Sequence, residues 1–256
     1  MIPCSVQNIQ LLVFLLIQEQ HFGEDTNAVS VRQTRKGWFQ EIFGCEARDE
    51  FKWFNITGEK TVQFATSLEE SECCMRTFCG GCHEFTMTVK EEGSGAEVLS
   101  MHRPMSCNMG ACKCCCLQEM TMSSNGRTLG KIEEQFWCCV PRMLIKDANG
   151  VDVYKLHQPT CCGGMCISCC SEGNPCGKGC CKVPFHIFPA DQEDTDNGAA
   201  HVGKILKLPK SFMTEMFTDS EAYDVTFPEK STTEQKALIA GSSVFINANF
   251  FEQEKE

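Results

Sequence analysis

The chain has 256 residues, of which 34 are acidic and 23 are basic, and its net charge is -11 with a pI near 5.1. This balance disfavours nucleic acid as the main partner, because binding to phosphates relies on Lys and Arg. The length allows a large buried core without disulfides. The 21 cysteines are an odd number and are bunched as adjacent pairs and runs, unlike those of a small secreted disulfide scaffold. We therefore predict reduced cytosolic thiols, which can be acylated, bind metal or pack as small hydrophobic groups.

The first 36 residues are predicted to form a segment separate from the main domain, which we place at residues 37–256. Within this segment, Ile9–Ile17 is an apolar run similar to the core of a signal peptide. No basic region precedes the run and no small-residue cleavage site follows it closely, so we favour an amphipathic helix docked on the domain. A targeting segment is the alternative.

Four hairpins are predicted between residues 51 and 154, because apolar and polar residues alternate with a period of two on either side of a turn. The turns lie at Thr57-Gly58, Gly93–Gly95, Asn125-Gly126 and Asn149-Gly150. Asn-Gly is the strongest of these signals, since both residues tolerate the positive backbone angles of a tight turn. A fifth hairpin joins residues 185–188 to residues 202–206.

These hairpins supply ten strands, and Tyr223–Phe227 supplies one more. A closed barrel with clearly more than about 8 strands has room inside beyond its own side chains. A helix of about 10 to 12 Å diameter would fill that space. The cysteines gather in the connections between the hairpins. The predicted fold class is therefore mainly β, a closed antiparallel barrel around a central hydrophobic helix.

The C-terminal helix is predicted to begin near Thr232, since Ser231 and Glu234 have the spacing of a capping box. The residues that follow are apolar or small on nearly every face, so the helix should be buried in protein or in lipid. A bilayer core needs about 20 apolar residues, whereas this run is shorter and contains Ser and Asn. We therefore favour the barrel core. The apolar positions of this core or membrane helix are Ala237, Leu238, Ile239, Val244, Phe245, Ile246, Phe250 and Phe251.

A series of short motifs has the order found in one known family. The motifs are Cys73–Arg76, Met101–Pro104, Cys116–Met120, Gly203–Ile205, Phe217–Asp219, Phe227-Pro228, Lys236–Gly241 and Phe250–Glu252. On these residues the chain resembles the phospholipid scramblases from about Gly37 onward. The resemblance implies a tubby-like fold of twelve strands around a C-terminal helix. It also implies calcium-dependent, ATP-independent, bidirectional movement of phospholipids between leaflets, a transport-type activity without covalent catalysis.

The family's calcium segment corresponds to Asp219–Lys230. Calcium prefers about six to eight oxygen ligands, commonly carboxylates along a turn. Lys230 stands where the family commonly has an aspartate, which puts a cation in place of a ligand. A solvated acidic turn before a strand is the alternative. The predicted calcium ligands are the carboxylates of Asp219, Glu221 and Asp224 and the backbone carbonyls of Tyr223, Val225 and Phe227.

Two cysteine clusters suggest different chemistry. The resemblance places palmitoylation at Cys112, Cys114, Cys115 and Cys116, and several neighbouring acyl chains would anchor the protein stably to the cytoplasmic face of the plasma membrane. Unmodified thiols are the alternative. Elsewhere, the CxxC pair Cys166–Cys169 is of the kind that binds zinc tetrahedrally. A zinc or iron–sulfur site is therefore a second, less favoured hypothesis.

The Gly203–Lys210 stretch lies where some scramblases carry a nuclear-import signal, which implies a nuclear pool. Its lysines could equally meet anionic lipid head groups. Only Pro3 precedes Pro104, so the SH3 and WW partners of proline-rich scramblases are not expected. The leading hypothesis is a phospholipid scramblase on a phospholipid membrane. The alternatives are a palmitoylated adaptor that binds lipid or protein without transport, and a thiolate metal-binding protein.

Overall fold

A computed structural model describes residues 19–34, 49–58, 60–72, 83–106, 116–162, 164–168, 182–192, 201–208 and 221–251. Short strands and one long helix account for most of these residues. The elements are β1 (Ala28–Thr34), β2 (Glu50–Thr57), β3 (Lys60–Glu70), β4 (Phe85–Glu91), β5 (Glu97–Arg103), β6 (Glu119–Ser124), β7 (Arg127–Glu134), β8 (Arg142–Asp147), β9 (Asp152–His157), β10 (Thr160–Cys161), β11 (Cys166–Ile167), β12 (Val183–Pro189), β13 (Gly203–Leu208), β14 (Ala222–Thr226) and α1 (Thr233–Phe250).

Twelve strands close into one barrel in the order β1, β14, β13, β12, β9, β8, β7, β6, β5, β4, β3, β2, and each neighbouring pair is antiparallel. The strands β10 and β11 form a separate two-stranded sheet. The barrel closes at β1, where Val31 is opposite Tyr223 of β14 on one side and Trp53 of β2 on the other. The predicted fold class, a mainly β closed antiparallel twelve-stranded barrel with a C-terminal helix, is confirmed.

The five predicted hairpins correspond to β2–β3, β4–β5, β6–β7, β8–β9 and β12–β13. In β6 the buried positions alternate with half-buried ones, which is the pattern of a strand with one face toward the core. At the β6–β7 turn, Asn125 has a φ of 49° and Gly126 a φ of 78°. These positive angles are those a tight turn between twisted strands requires, so the Asn-Gly signal located this hairpin correctly.

The strand β1 lies inside the segment that was predicted to be separate from the barrel. It occupies Ala28–Thr34, so the barrel already includes residues before the predicted boundary at 37. Its side chains do not alternate cleanly, because Ser30 and Gln33 are buried together with Val29 and Val31. A short strand with polar buried residues, and with burial on both faces, has no clear period of two, which is why the sequence pattern did not reveal it. The predicted helix at Ile9–Ile17 lies outside the described residues.

The helix α1 begins where predicted, but its capping residues are one position further along. The side chain of Thr232 accepts a hydrogen bond from the backbone of Gln235, and the side chain of Gln235 accepts one from the backbone of Thr232. Ser231 instead donates to the carbonyl of Pro228 at 2.6 Å, and Glu234 forms an ion pair with Arg127 at 2.9 Å. The predicted capping pair Ser231 and Glu234 is therefore wrong, because both side chains are engaged in other contacts.

The helix α1 fills the interior of the barrel, and its residues are buried on all sides from Lys236 to Asn249. At about 1.5 Å per residue, its 18 residues span roughly 27 Å. Gly241 permits a close approach to the wall, since a Cβ there would lie 2.6 Å from Sδ of Met122 and 3.3 Å from Cδ2 of Leu99. Of the apolar helix positions predicted from the sequence, all are buried except Phe250, which is half-buried.

The polar residues of α1 are hydrogen-bonded inside the barrel. Ser242 donates to the carbonyl of Leu238 at 2.7 Å, which satisfies its hydroxyl within the helix. The hydroxyl of Tyr223 donates to Oδ1 of Asn247 at 2.9 Å, and Arg103 donates to Oδ1 of Asn249 at 3.1 Å. Buried polar groups are tolerated when they are paired in this way.

The barrel has two chemically different ends, which we name by their connections. The turn end holds the five hairpin turns, and the link end holds the connections between successive hairpins. The helix α1 begins at the turn end, where Glu234 contacts Arg127 beside the β6–β7 turn. It ends at the link end, where the ring of Phe250 lies 6.5 Å from the ring of Trp137 in the β7–β8 link. Glu221 of the predicted calcium segment and the described cysteines lie at the link end.

Candidate functional site

The strand β14 carries most of the predicted calcium residues, and it does not bring their side chains together. Tyr223 and Val225 are buried against the core, whereas Asp224 is half-buried on the opposite face. Glu221 is buried, and its backbone carbonyl accepts a hydrogen bond from Gln33 at 2.7 Å. Because β14 is paired with β1 and β13 on its two sides, its own carbonyls serve the sheet ladders. The described members of the predicted ligand set therefore lie on both faces of one strand.

The carboxylate of Glu221 lies in a buried ion pair at the link end. Nζ of Lys207 lies 2.6 Å from Oε2 of Glu221, and the two side chains are 12% and 4% exposed. The same Nζ lies 3.5 Å from the ring centroid of Phe251, just beyond the end of α1. An ammonium over an aromatic face is attracted by the ring quadrupole. This contact joins β13, β14 and the end of the helix, and it gives Glu221 a structural partner.

Lys230 lies at the other end of the barrel from Glu221. It belongs to the turn between β14 and α1, whereas Glu221 immediately precedes β14. The 5 residues of β14 separate them, a rise of roughly 17 Å for an extended strand. The cation at Lys230 is therefore too distant to occupy a ligand position beside Glu221. Asp219 lies outside the described residues, so the calcium assignment stays a prediction.

A buried carboxylate and imidazole also lie at the link end. Nε2 of His83 is 2.9 Å from Oε1 of Glu69, and both side chains are almost fully buried. Burial alone would raise the pKa of Glu69, but hydrogen bonds from His83 and Ser71 outweigh it and hold that pKa below its ordinary value. The carbonyl of His83 accepts a hydrogen bond from Arg103 at 3.0 Å, and Arg103 in turn holds Asn249 of α1.

We predict that the Glu69 pair makes stability depend on pH in the acidic range. A carboxyl whose pKa is lowered by folding stabilises the protein above its unfolded value of 4.5, and this contribution is lost as pH falls through the folded value. The variant Glu69→Gln should therefore lose less stability than the wild type on acidification. Urea unfolding midpoints at about pH 7 and about pH 3.5 measure this difference. An equal acid loss in both proteins would contradict the prediction.

The described cysteines also lie at the link end. Cys116 precedes β6, Cys138 and Cys139 lie in the β7–β8 link, and Cys161, Cys162 and Cys166 lie in or beside β10 and β11. All six are free, and all but the half-buried Cys161 are exposed. Of the predicted palmitoylation cluster, Cys112, Cys114 and Cys115 lie outside the described residues, and only Cys116 is placed. The exposed position of Cys116 leaves its thiol accessible.

No group of three or more His, Cys, Asp or Glu side chains is arranged to hold a metal ion among the described residues. Cys138 and Cys139 interact with each other, and Cys166 lies close enough to Cys139 to affect it electrostatically. Contact with the neighbouring thiols raises the pKa of Cys139, which keeps this thiol protonated at neutral pH. Cys169, the partner of Cys166 in the CxxC pair, lies outside the described residues. A thiolate zinc or iron–sulfur site therefore stays a prediction.

An apolar groove of about 230 Å³ opens at the link end beside the last residues of α1. It is formed by the β7–β8 link, the start of β12, the β10–β11 sheet and the end of the helix. Nε1 of Trp137 is buried here without a hydrogen-bond partner in the part of the chain that is described. The groove is lined by Trp137, Cys139, Pro141, Gln158, Ile167, Phe185, Phe250 and Phe251.

The architecture defines the class of protein: a closed antiparallel barrel whose C-terminal helix is its core, with thiols and apolar side chains gathered at one end. Within the described ranges, no helix combines the length and the apolar character needed to cross a membrane. No solved structure matches the chain.

Comparison with known sequences identifies the family. The profile of the Scramblase family matches residues 23–253, so the chain belongs to that family. The match begins before β1, in agreement with the place of this strand in the barrel.

Individual relatives show the extent of the similarity. Phospholipid scramblase 1 of Mus musculus is 29% identical over 213 residues, which cover 83% of this chain and 57% of that protein. Phospholipid scramblase 1 of Homo sapiens is 29% identical over 212 residues, with 82% and 59% coverage. Human phospholipid scramblase family member 5 is 28% identical over 213 residues, with 82% and 69% coverage. The chain therefore spans less than two thirds of the length of phospholipid scramblase 1.

The sequence did not reveal two features of the link end. Lys207 was predicted only as a basic surface residue, yet it is the buried partner of Glu221. The apolar side chains of the β5–β6, β7–β8 and β9–β12 links were also missed, although these links are short of charged residues in the sequence. That shortage is a signal that sequence analysis could have used, because loops on a protein surface usually carry polar and charged residues.

Proposed function

We propose that this protein moves phospholipids between the leaflets of a membrane, in both directions, without ATP and in response to calcium. The observation that carries the proposal is the Scramblase family match over residues 23–253. The relatives are named phospholipid scramblases, and the matched region includes every strand of the barrel and α1. The activity is of the transport type, without covalent change to the lipid.

Lipid movement requires a route that shields the polar head group from hydrocarbon, because burying an unpaired charge is costly. The interior of the barrel is occupied by α1, whose residues from Lys236 to Asn249 are buried. The route we propose therefore runs over the outer surface of the barrel, with the membrane adapting to that surface. The same filled interior favours the second candidate function, a membrane-bound adaptor that binds lipid and does not move it.

Attachment to the cytoplasmic face of the plasma membrane is proposed to use palmitate on Cys112, Cys114, Cys115 and Cys116. Support comes from the exposed thiol of Cys116 and from the need for more than one acyl chain in stable anchoring. A nuclear pool directed by the Gly203–Lys210 stretch is a further proposal. Anionic head groups could contact Lys204 but not readily Lys207, whose side chain is engaged with Glu221.

The experiment that tests transport uses the purified full-length chain reconstituted in liposomes that contain a fluorescent lipid. Only the label in the outer leaflet is accessible to an added quencher, so the extent of quenching reports exchange between leaflets. We expect calcium to increase the exchanged fraction relative to protein-free liposomes. Binding of the protein without exchange would favour the adaptor, and unchanged exchange would exclude transport.

Calcium responsiveness is tested separately with two carboxylate variants. We expect Asp219→Asn to weaken the response, because the family's calcium segment includes this residue. Asp224→Asn should have a smaller effect, since Asp224 lies on the opposite face of β14 from the core and Glu221 is paired with Lys207. Exchange in the presence of calcium is measured for both variants. A full response in Asp219→Asn would place the calcium site elsewhere.

A further inference from the structure

Three connections at the link end contain a single charged side chain in their described residues, Lys182 just before β12. The β5–β6, β7–β8 and β9–β12 links join hairpins that are neighbours in the barrel. Surface loops with so few Asp, Glu, Lys or Arg residues are unusual, because loops are normally in contact with water. The uncharged described stretches are residues 104–106, 116–118, 135–141, 158–162 and 164–168.

The same links expose large apolar side chains. Met105 and Leu117 lie in the β5–β6 link, Phe136 lies in the β7–β8 link, and Met165 lies between β10 and β11. We call these four residues the apolar rim. Phe136 is 63% exposed and Met165 is 70% exposed, so most of their surface is in water when the protein is free. An apolar surface of this kind indicates a site of interaction.

The three links are neighbours at the link end. The backbone of Gln118 donates to the carboxylate of Glu134 at 2.9 Å, and the backbone of Glu134 donates to the carbonyl of Gln118 at 2.8 Å. These bonds join the β5–β6 link to the end of β7. The β7–β8 link and Ile167 of β11 line the same groove beside Trp137. The residues of the apolar rim therefore lie on neighbouring links, at one side of the link end.

The turn end has the opposite character. Among its described residues, the exposed large apolar ones are valines, at positions 62, 151 and 202. Carboxylates are exposed around the same end, with Lys60, Lys90, Arg127 and Lys230 interspersed. The exposed carboxylates of the described part are Glu19, Glu24, Asp25, Glu92, Asp152, Asp191 and Glu229. An anionic leaflet would repel such a surface.

From this asymmetry we infer that the apolar rim docks the barrel on a phospholipid bilayer, with the link end toward the membrane and without any need for acyl chains. The inference rests on the membrane association in the proposed function and specifies its surface. An apolar, uncharged rim matches the boundary between head groups and acyl chains. Trp137 lies near that boundary as well, because its half-buried indole ring lines the apolar groove beside the β10–β11 sheet.

The β3–β4 link limits the docking surface to one side of the end. Glu70, Glu72 and Glu84 flank that link and are exposed. These carboxylates would lose hydration if they entered the bilayer. The barrel therefore docks with the side from β5 to β12 closest to the bilayer. Cys116 adjoins Leu117 of the apolar rim, and its thiol would face the membrane surface in this orientation.

The test measures binding of the unacylated full-length chain to phosphatidylcholine vesicles by cosedimentation, with no lipid-exchange readout. Phe136→Asp should lower the partition coefficient by about tenfold or more, because it removes one large apolar group and adds a charge. The matched control is Val151→Asp at the turn end, where Val151 is 59% exposed against 63% for Phe136. We expect the control to change the partition coefficient by less than about twofold.

The depth of Trp137 in the bilayer is measured independently, by quenching of tryptophan fluorescence with brominated lipid. Trp137 should account for a large part of the quenching, so the quenched signal should fall in Trp137→Phe, whereas Trp53 is fully buried in the barrel. Absence of vesicle binding, equal losses in Phe136→Asp and Val151→Asp, or unchanged quenching in Trp137→Phe would each overturn the inference. So would a dimer that Phe136→Asp dissociates without loss of vesicle binding, since the rim would then join two copies.

These outcomes are distinguishable from failure of the proposed function. A protein that binds vesicles through the apolar rim but exchanges no lipid leaves the docking inference intact and excludes transport. A protein that exchanges lipid while Phe136→Asp and Val151→Asp bind equally well leaves transport intact and overturns the docking inference.

Discussion

Replacement of Phe245 by Ala should lower the free energy of unfolding by about 3 to 5 kcal/mol, the usual loss when a large aromatic side chain is removed from a core. Phe245 is fully buried in the middle of α1, and the barrel wall surrounds it. Urea unfolding of the protein in buffer without lipid measures the change. Because α1 is the core of the barrel, the loss should occur in the complete absence of a membrane.

The control for this prediction is Phe136→Ala, which removes the same side chain from an exposed site. It should change the free energy of unfolding by less than about 0.5 kcal/mol, as is usual for surface substitutions. If Phe245→Ala were as mild as Phe136→Ala, the helix would not be part of the folded core in solution. That result would support the interpretation of α1 as a membrane helix.

Replacement of Glu221 by Ala should lower the free energy of unfolding by about 3 to 5 kcal/mol, because removal of one partner leaves a buried charge without its counter-ion. The remaining ammonium of Lys207 would still lie over the ring of Phe251 and away from water. Substituting both members, as Glu221→Leu with Lys207→Met, should recover much of this loss, since no charge is then left buried. Urea unfolding in calcium-free buffer compares the single and double variants.

Asp224→Ala is the matched control for the ion pair, since Asp224 is a nearby carboxylate on the outer face of β14. Its effect on the free energy of unfolding should stay within about 0.5 kcal/mol. If Glu221 served only as a calcium ligand, Glu221→Ala would not destabilise the calcium-free protein. A loss no larger than that of Asp224→Ala would therefore contradict the structural role of the pair.

Local patterns in the sequence predicted most of the barrel. The Asn125-Gly126 turn and the alternation along β6 specify a hairpin through residues that are adjacent in the chain. The strand β1 lacked such a signal, because its buried residues include the polar Ser30 and Gln33 and its pairing with β14 joins distant parts of the chain. A strand that depends on long-range pairing is poorly marked by a short window of sequence.

The candidate site was harder to predict than the fold. The spacing of carboxylates after Asp219 is typical of a ligand-bearing turn, yet the extended backbone of β14 places successive side chains on opposite faces. Nothing in the local sequence marks Lys207 as the partner of Glu221, since the contact depends on the register between β13 and β14. The same is true of the helix cap, where Ser231 and Glu234 are diverted by Pro228 and Arg127.

The closure of the barrel between β1 and β14 has a consequence for biosynthesis. During translation, β1 emerges early, but its neighbour β14 and the core helix α1 emerge last of the described elements. Until then, the inner faces of the earlier strands have no core to cover them, and the edges of β1 and the growing sheet stay unpaired. Final closure therefore has to wait until β14 and α1 have been made, and it joins widely separated segments, which slows folding and exposes the chain to aggregation. A nascent chain of this topology has a particular need for chaperones.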